Sequence, residues 1–148
     1  MAVEFALLFP LLFFLLFGTL IFGWRIWEHQ AGQSTARDAA RLASLGVPTD
    51  LTAYRHDVVC FGERNGLKPG TLTSLRLDYF TDPAMLTPGP AANGGYVQVS
   101  LTYRSALGAM PLVSGSDGTF TSAGLYRVEQ VGTASGPQTV SISGERCQ

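Results

Sequence analysis

The sequence predicts an α+β fold, in which a long N-terminal helix packs on a small antiparallel sheet of three or four strands. Six of the nine Phe residues precede Trp24, and helix-forming residues then continue without a Pro as far as Gly46. Beyond that point Gly and Pro are frequent, and alternating apolar residues indicate short strands. We therefore divide the chain into residues 1–24, a candidate transmembrane half-helix, residues 25–46, its amphipathic continuation, and residues 47–148, a globular α+β head.

The candidate membrane span is an uncharged run from Phe5 to Trp24. As a helix it would be about 30 Å long, which matches the hydrocarbon core of a bilayer. Trp24 and Trp27 flank Arg25 at the level where an interfacial aromatic belt would lie. A cleaved secretory signal is less consistent with the run, because the run is too long and no small-x-small cleavage site follows it.

The helix is predicted to continue past the membrane surface, from about Val3 to Leu45. The continuation is rich in good helix formers, and Gly46-Val47-Pro48 would end it. A small-residue surface on this half would let another backbone approach closely, and it consists of Ala36, Ala39, Ala40 and Ala43. The second half of the helix is therefore suited to a soluble core.

The head is predicted to contain one further helix and up to four strands. Thr49-Asp50 can cap a helix in which apolar residues recur every three or four positions, and Asn65-Gly66 would end it. Strands are predicted in the segments LTSLRLDYF, GYVQVSLTYR, FTSAGLYRVEQV and TVSIS. Because successive strands lie close together in sequence, we expect antiparallel pairing, with the outer half of the long helix covering the apolar face.

Charge and motifs exclude several classes of function. The net charge of -1 and the single Lys do not fit a nucleic-acid binder. The common hydrolase, metalloprotease, P-loop and dinucleotide motifs are missing, so we predict no enzyme and no cofactor. Glu28-His29 and His56-Asp57 lack metal-ligand spacing, so no metal site is predicted. Gly115-Ser116-Asp117-Gly118 is interpreted as a hairpin turn rather than a calcium loop.

Two cysteines, Cys60 and Cys147, are present in a head that should face an oxidising compartment. We predict that they form a disulfide, and two buried free thiols are the alternative. The bond would stabilise the head by about 4 kcal/mol in the chain-entropy model, because it closes a long loop.

Glu4 places a carboxylate at the edge of the apolar run. A carboxylate is costly in hydrocarbon and usually marks a function or a partner. It could equally be an acid of the first helical turn, stabilised by the helix dipole at the water interface. Spacing alone leaves both interpretations open.

The N-terminal stretch MAVEFALLFPLLFFLLFGTLIFG resembles the TadE-like pilin family of the tight adherence (Flp) pilus machinery. The block from Ala36 to Arg41 is similar to the family's small-and-basic helix continuation. Later blocks look like its paired strands, namely Val97 to Tyr103, Pro111-Leu112, Phe120 to Ala123 and Tyr126 to Glu129.

The resemblance implies a pilin-like subunit assembled through Glu4, Phe5 and Pro10, with residues 1–24 forming the filament core after assembly. Glu4 matches the family's glutamate near the mature N-terminus, although the family places it fifth, after a Gly where a prepilin peptidase cuts. Pro10 withholds a backbone donor and should let the helix bend near this contact. The length of the chain favours a minor pilin.

The implied partners are other pilin subunits in a helical filament, the inner membrane before assembly, a prepilin peptidase and the assembly platform. The head would be periplasmic at first and later extracellular, on a pilus that supports surface adhesion. The arginines nearest the span lie on its outer side, so this orientation requires a basic upstream leader.

Three alternatives to a minor pilin remain. The chain could be a bitopic assembly or binding module that stays in the inner membrane. It could be the major subunit of a filament. An exported enzyme is the weakest of the three, since no catalytic motif supports it.

Overall fold

The computed structural model describes residues 2–46, 48, 50–108, 118–129, 136–142 and 144–147, without the side chains of residues 2–7. It has the predicted α+β architecture, with a long N-terminal helix packed on one four-stranded antiparallel sheet. The elements in chain order are α1 (Ala2–Leu45), α2 (Leu51–Arg64), β1 (Leu72–Phe80), β2 (Tyr96–Arg104), β3 (Thr119–Arg127) and β4 (Gln138–Ser141).

Helix α1 is one continuous element of 44 residues, and Pro10 lies inside it. Its two halves have opposite surroundings. Large apolar side chains between Leu8 and Ile26 are exposed, whereas the second half buries the predicted small-residue surface of Ala36, Ala39, Ala40 and Ala43, each 0% exposed. Alanine allows this second half to combine strong helix propensity with close packing against a sheet.

The sheet has the strand order β3-β2-β1-β4, and every neighbouring pair is antiparallel. Side chains alternate between its two faces, so β2 and most of β1 contribute every second residue to the core. Leu77 pairs with Val99, and Leu101 pairs with Ser122 across the centre of the sheet. The fully buried apolar side chains of this face include Leu75, Leu77, Val97, Val99 and Leu101.

Helix α1 covers the β2 and β3 side of this apolar face, as predicted, and two glycines allow its close approach. A Cβ on Gly124 of β3 would overlap the carbonyl oxygen of Ala36 and lie 2.9 Å from the Cα of Arg37. A Cβ on Gly32 of α1 would overlap the ring of Tyr103. Backbone therefore packs directly on backbone where β3 crosses the helix.

Helix α2 begins at the predicted cap. The Asp50 carboxylate accepts hydrogen bonds from the amides of Thr52 (2.8 Å) and Ala53 (3.3 Å), and these bonds lower the pKa of Asp50. Asn65 is the C-cap, as predicted, and its side-chain amide donates to the carboxylate of Asp38 of α1 at 3.0 Å. These contacts fix the end of α2 against α1.

The third and fourth strands are shorter than their sequence segments. Strand β3 ends at Arg127. Val128 still donates to Gly95, and Glu129 then donates to the carbonyl of Ser44 at the end of α1 instead of continuing along β2. After β4, Ile142 is fully buried and donates to Thr73. The proposed turn at 115–117 and the Pro111-Leu112 block lie outside the described residues.

Candidate assembly surface and its junction with the head

The largest uncovered surface of the described chain is the apolar first half of α1. From Leu8 onward this helix is long and apolar enough to cross a membrane, judged by length and composition, and its most apolar 18-residue window is 0% buried. Phe14 is 75% exposed and Phe22 is 67% exposed. So much contiguous apolar surface is not stable in water, and it indicates a membrane or protein contact.

Aromatic rings form a stripe along this surface, since Phe9, Phe13 and Phe17 recur every fourth residue. Their ring centroids lie 6.3 Å and 4.2 Å apart in sequence order. Beside the stripe, a Cβ on Gly18 would meet nothing within 4 Å. The Thr19 hydroxyl donates to the carbonyl of Leu16 at 2.8 Å, so the one hydroxyl of this segment is satisfied within the helix. The segment thus presents apolar ridges and a shallow gap.

The predicted assembly residues all lie in the first turns of α1. Glu4 and Phe5 are helical, but their side chains lie outside the described residues, so their roles stay predictions. Pro10 is accommodated inside the helix. A proline cannot donate the helical hydrogen bond to the residue four positions earlier, so this turn lacks one backbone bond.

A buried carboxylate joins the helix to the head just past the span. Glu28 is 6% exposed, and its carboxylate accepts hydrogen bonds from the Ser105 hydroxyl (2.6 Å) and the Ala106 amide (2.8 Å). The Ser105 hydroxyl oxygen in turn accepts from the amide of Leu107 at 3.2 Å. The chain leaving β2 is therefore held against α1.

Sequence reasoning considered Glu28 only as a metal ligand beside His29 and missed this role. The position of Glu28 on the helix could have predicted this role. Glu28 lies three and four residues before Ala31 and Gly32, which belong to the buried face of α1. A carboxylate on a buried face needs donors, and the donors come from a loop far away in sequence.

Two aromatic contacts reinforce the junction. The Arg25 guanidinium donates to the carbonyl of Gly108 at 2.6 Å and lies 5.3 Å from the centroid of Phe120. On another side, Trp27 packs over Gly66, where an added Cβ would lie 2.5 Å from the indole and φ is +99°. Helix α1 is thus in contact with both the sheet and the end of α2 at this level.

The core behind the junction holds neutral tyrosines. Burial raises the pKa of Tyr103, whose hydroxyl lies 3.3 Å from that of Ser122. Burial also raises the pKa of Tyr79 to about 12 and, together with nearby Tyr79, raises that of Tyr54. The Tyr54 hydroxyl donates to the Ala39 carbonyl at 2.8 Å, so it adds a further bond between the helices.

The predicted disulfide is present and links α2 to the C-terminal segment. Cys60 of α2 is bonded to Cys147, with the Cα atoms 4.8 Å apart. The same segment is held by Arg55, whose guanidinium lies 2.6 Å from Glu145, and by the Cys147 amide, which donates to Glu63 at 3.1 Å. The C-terminal segment is therefore stapled to α2.

The two histidines lie apart. His29 contacts Gln33 at 3.1 Å, and His56 lies 3.7 Å from the Cys60 sulfur and 3.8 Å from Glu145. Within the described part of the chain, no group of three His, Cys, Asp or Glu side chains could hold a metal ion.

A family model described as TadE-like protein matches residues 1–41. The resemblance is therefore confirmed for the span and most of the outer half of α1, and the later strand blocks lie beyond the matched residues. No curated protein and no solved structure matches the chain significantly.

Removing the buried carboxylate should loosen the junction. Glu28→Ala would leave the Ser105 hydroxyl and the Ala106 amide without their acceptor, at a cost of about 1–3 kcal/mol in the free energy of unfolding. Amide hydrogen exchange at Ala106 should become faster. Gln30→Ala, on an exposed position two residues further along α1, is the matched control and should leave the exchange unchanged.

Proposed function

We propose that this chain is a pilin-like structural subunit, a minor pilin of a tight adherence pilus, that assembles through the first half of α1. The uncovered apolar half of α1 carries the proposal, together with the TadE-like match over residues 1–41, which include this half. Burying one large apolar side chain is worth about 1.5–3 kcal/mol, so this segment needs an apolar environment at every stage. The inner membrane would supply it before assembly, and the helices of other pilin subunits would supply it in the filament.

A rigid subunit fits this role better than a simple tether does. A tether needs only a span and a flexible linker, whereas here one helix passes from the uncovered segment into the core of the head. Just beyond the span, the helix is bound to the head through contacts of Arg25, Trp27 and Glu28. Contacts made by the span would therefore fix the orientation of the head, as a regular filament requires.

The location, adhesive role and processing that we propose are those that the family resemblance implies. The head would be periplasmic while α1 is in the inner membrane and extracellular on the pilus, where it would support surface adhesion. A prepilin peptidase and the assembly platform would act on the subunit before it enters the filament.

Within this proposal Glu4 acts in assembly. An unpaired carboxylate among apolar helices is unfavourable by several kcal/mol, so it should find a cation. The N-terminal amine of its own or a neighbouring chain is the cation that the family resemblance suggests. Pairing there would set the register of one subunit against the next, and Pro10 would let the helix end adjust.

The test is the recovery of subunits in sheared filaments. Glu4→Ala should leave the level of membrane-inserted, disulfide-bonded subunit normal and should sharply reduce its recovery in filaments. Glu4→Asp should be intermediate, because its shorter side chain misplaces the charge. Asp57→Ala removes an exposed acid from α2 and is the control, with wild-type recovery expected.

A bitopic module that stays in the membrane is the second candidate, because a membrane span alone accounts for the exposed apolar helix. If the Glu4→Ala chain entered filaments at wild-type stoichiometry, Glu4 would have no role in assembly. It would then be only an acid of the first helical turn, stabilised by the helix dipole. Absence of the wild-type chain itself from filaments would favour the bitopic module.

A further inference from the structure

The chain that leaves β2 lies beside α1 at the level where the apolar run ends. We call Ser105 to Gly108 the base loop. Its Gly108 carbonyl accepts from Arg25 at 2.6 Å, and its Ala106 amide donates to Glu28 at 2.8 Å. These two bonds set the height of the base loop along the helix.

That height falls inside the interfacial layer of a bilayer that holds the span. Arg25 is the first charged residue after the uncharged run, and Glu28 follows within one helical turn. At about 1.5 Å per residue, both lie within about 6 Å of the hydrocarbon edge if the edge is at Trp24. The headgroup layer on each side of the hydrocarbon is about 5–7 Å thick, so the base loop lies within it.

The side chain that the base loop exposes at this height is apolar. Leu107 is 47% exposed, close to the values of 48% for Trp24 and 46% for Trp27 on the helix. The sequence carries no charge between Arg104 and Asp117. A Leu at about the height of interfacial tryptophans, in an uncharged stretch, suits the boundary between headgroups and acyl chains.

Leu86 provides an internal comparison, because it is also an exposed Leu of the head. It is 81% exposed in the β1–β2 connection, where its amide donates to Asp82. The start of β2 lies near the far end of α1, since Gly95 bonds Val128 and the next residue, Glu129, bonds Ser44. Leu86 therefore lies at the end of the head remote from Arg25.

We propose that the base loop is a second membrane contact, with Leu107 inserted at the headgroup–acyl boundary while α1 spans the bilayer. The proposal rests on the membrane-anchored state in the proposed function. Arg25 serves it by holding Gly108 at the membrane level while its guanidinium lies near Phe120. The head would then contact the bilayer at two points, α1 and the base loop.

The test measures the depth of nitroxide labels in the full chain, reconstituted at low density in phosphatidylethanolamine–phosphatidylglycerol vesicles. Single variants Leu107→Cys, Leu86→Cys and Phe14→Cys each add one thiol, because the native cysteines are already bonded. Intact mass confirms one label per chain. Relaxation by oxygen, which concentrates in lipid, is compared with relaxation by a water-soluble nickel chelate.

We expect the label at 107 to be several-fold less accessible to the nickel chelate than the label at 86, with the label at 14 fully in lipid. Equal accessibility at 107 and 86, with 14 in lipid, would overturn this proposal and leave the membrane anchor intact. A label at 14 that is open to water would remove the anchor and the base-loop contact together. If the label at 107 is protected from the nickel chelate only at high protein density, the surface contacts a second copy of the chain, and the lipid contact is rejected.

Discussion

Replacing Gly124 with alanine is expected to destabilise the head by about 3 kcal/mol, near the upper end of overpacking costs. The new methyl group would overlap the Ala36 carbonyl, and the neighbouring contact, at 2.9 Å, is the Cα of Arg37. Both obstacles are helix backbone, which cannot rotate away as a side chain can. The sheet would have to separate from α1, and the contacts of the buried alanines would weaken with it.

Chemical denaturation of the full chain in detergent measures this loss. Unfolding is followed by tryptophan fluorescence, to which Trp27 over Gly66 contributes together with Trp24. Gly136→Ala is the matched control, because an added Cβ there meets nothing within 4 Å. A Gly124→Ala variant as stable as Gly136→Ala would mean that β3 does not pack on the helix backbone.

Removing the disulfide should have an effect of similar or greater size. Cys60→Ser combined with Cys147→Ser opens a connection between residues 87 apart, which costs about 4 kcal/mol in the chain-entropy model. The ion pair between Arg55 and Glu145 remains, but a partly exposed pair contributes at most about 1 kcal/mol. Denaturation should therefore shift to much lower denaturant concentration.

The bond itself can be verified by intact mass, which should be about two daltons lower without reductant, since pairing removes two hydrogens. Reducing the wild-type chain should reproduce the shift of the double variant. Alkylation of both thiols in exported protein without reductant would contradict the bond, and an unchanged midpoint in the double variant would show that the tail contacts suffice without it.

Local sequence signals were sufficient for much of this fold. The extent of α1, the Asp50 and Asn65 caps and the bounds of β1 follow from periodicity and capping residues, which depend on neighbours in sequence. The cysteine pair followed from the count and the expected compartment. Those predictions needed no knowledge of which segments meet in space.

The junction could not be predicted in the same way. The partners of Glu28 are Ser105 and Ala106, more than seventy residues away, and nothing local marks them as donors. A glycine inside a strand usually weakens that strand, yet Gly124 permits the closest helix–sheet approach described above. Such long-range complementarity appears only when the tertiary contacts are known.

Because α1 is unbroken, the membrane span and the head would tilt together as one rigid lever. Membrane helices commonly tilt by about 20°, and with no hinge at the junction the head would tilt with the span. The end of α1 at Leu45 lies about 30 Å beyond Trp24, so such a tilt would swing it sideways by about 10 Å. Small angular changes within the bilayer would thus become large displacements at the far end of the head, and a torque applied to the head would in turn reach the span.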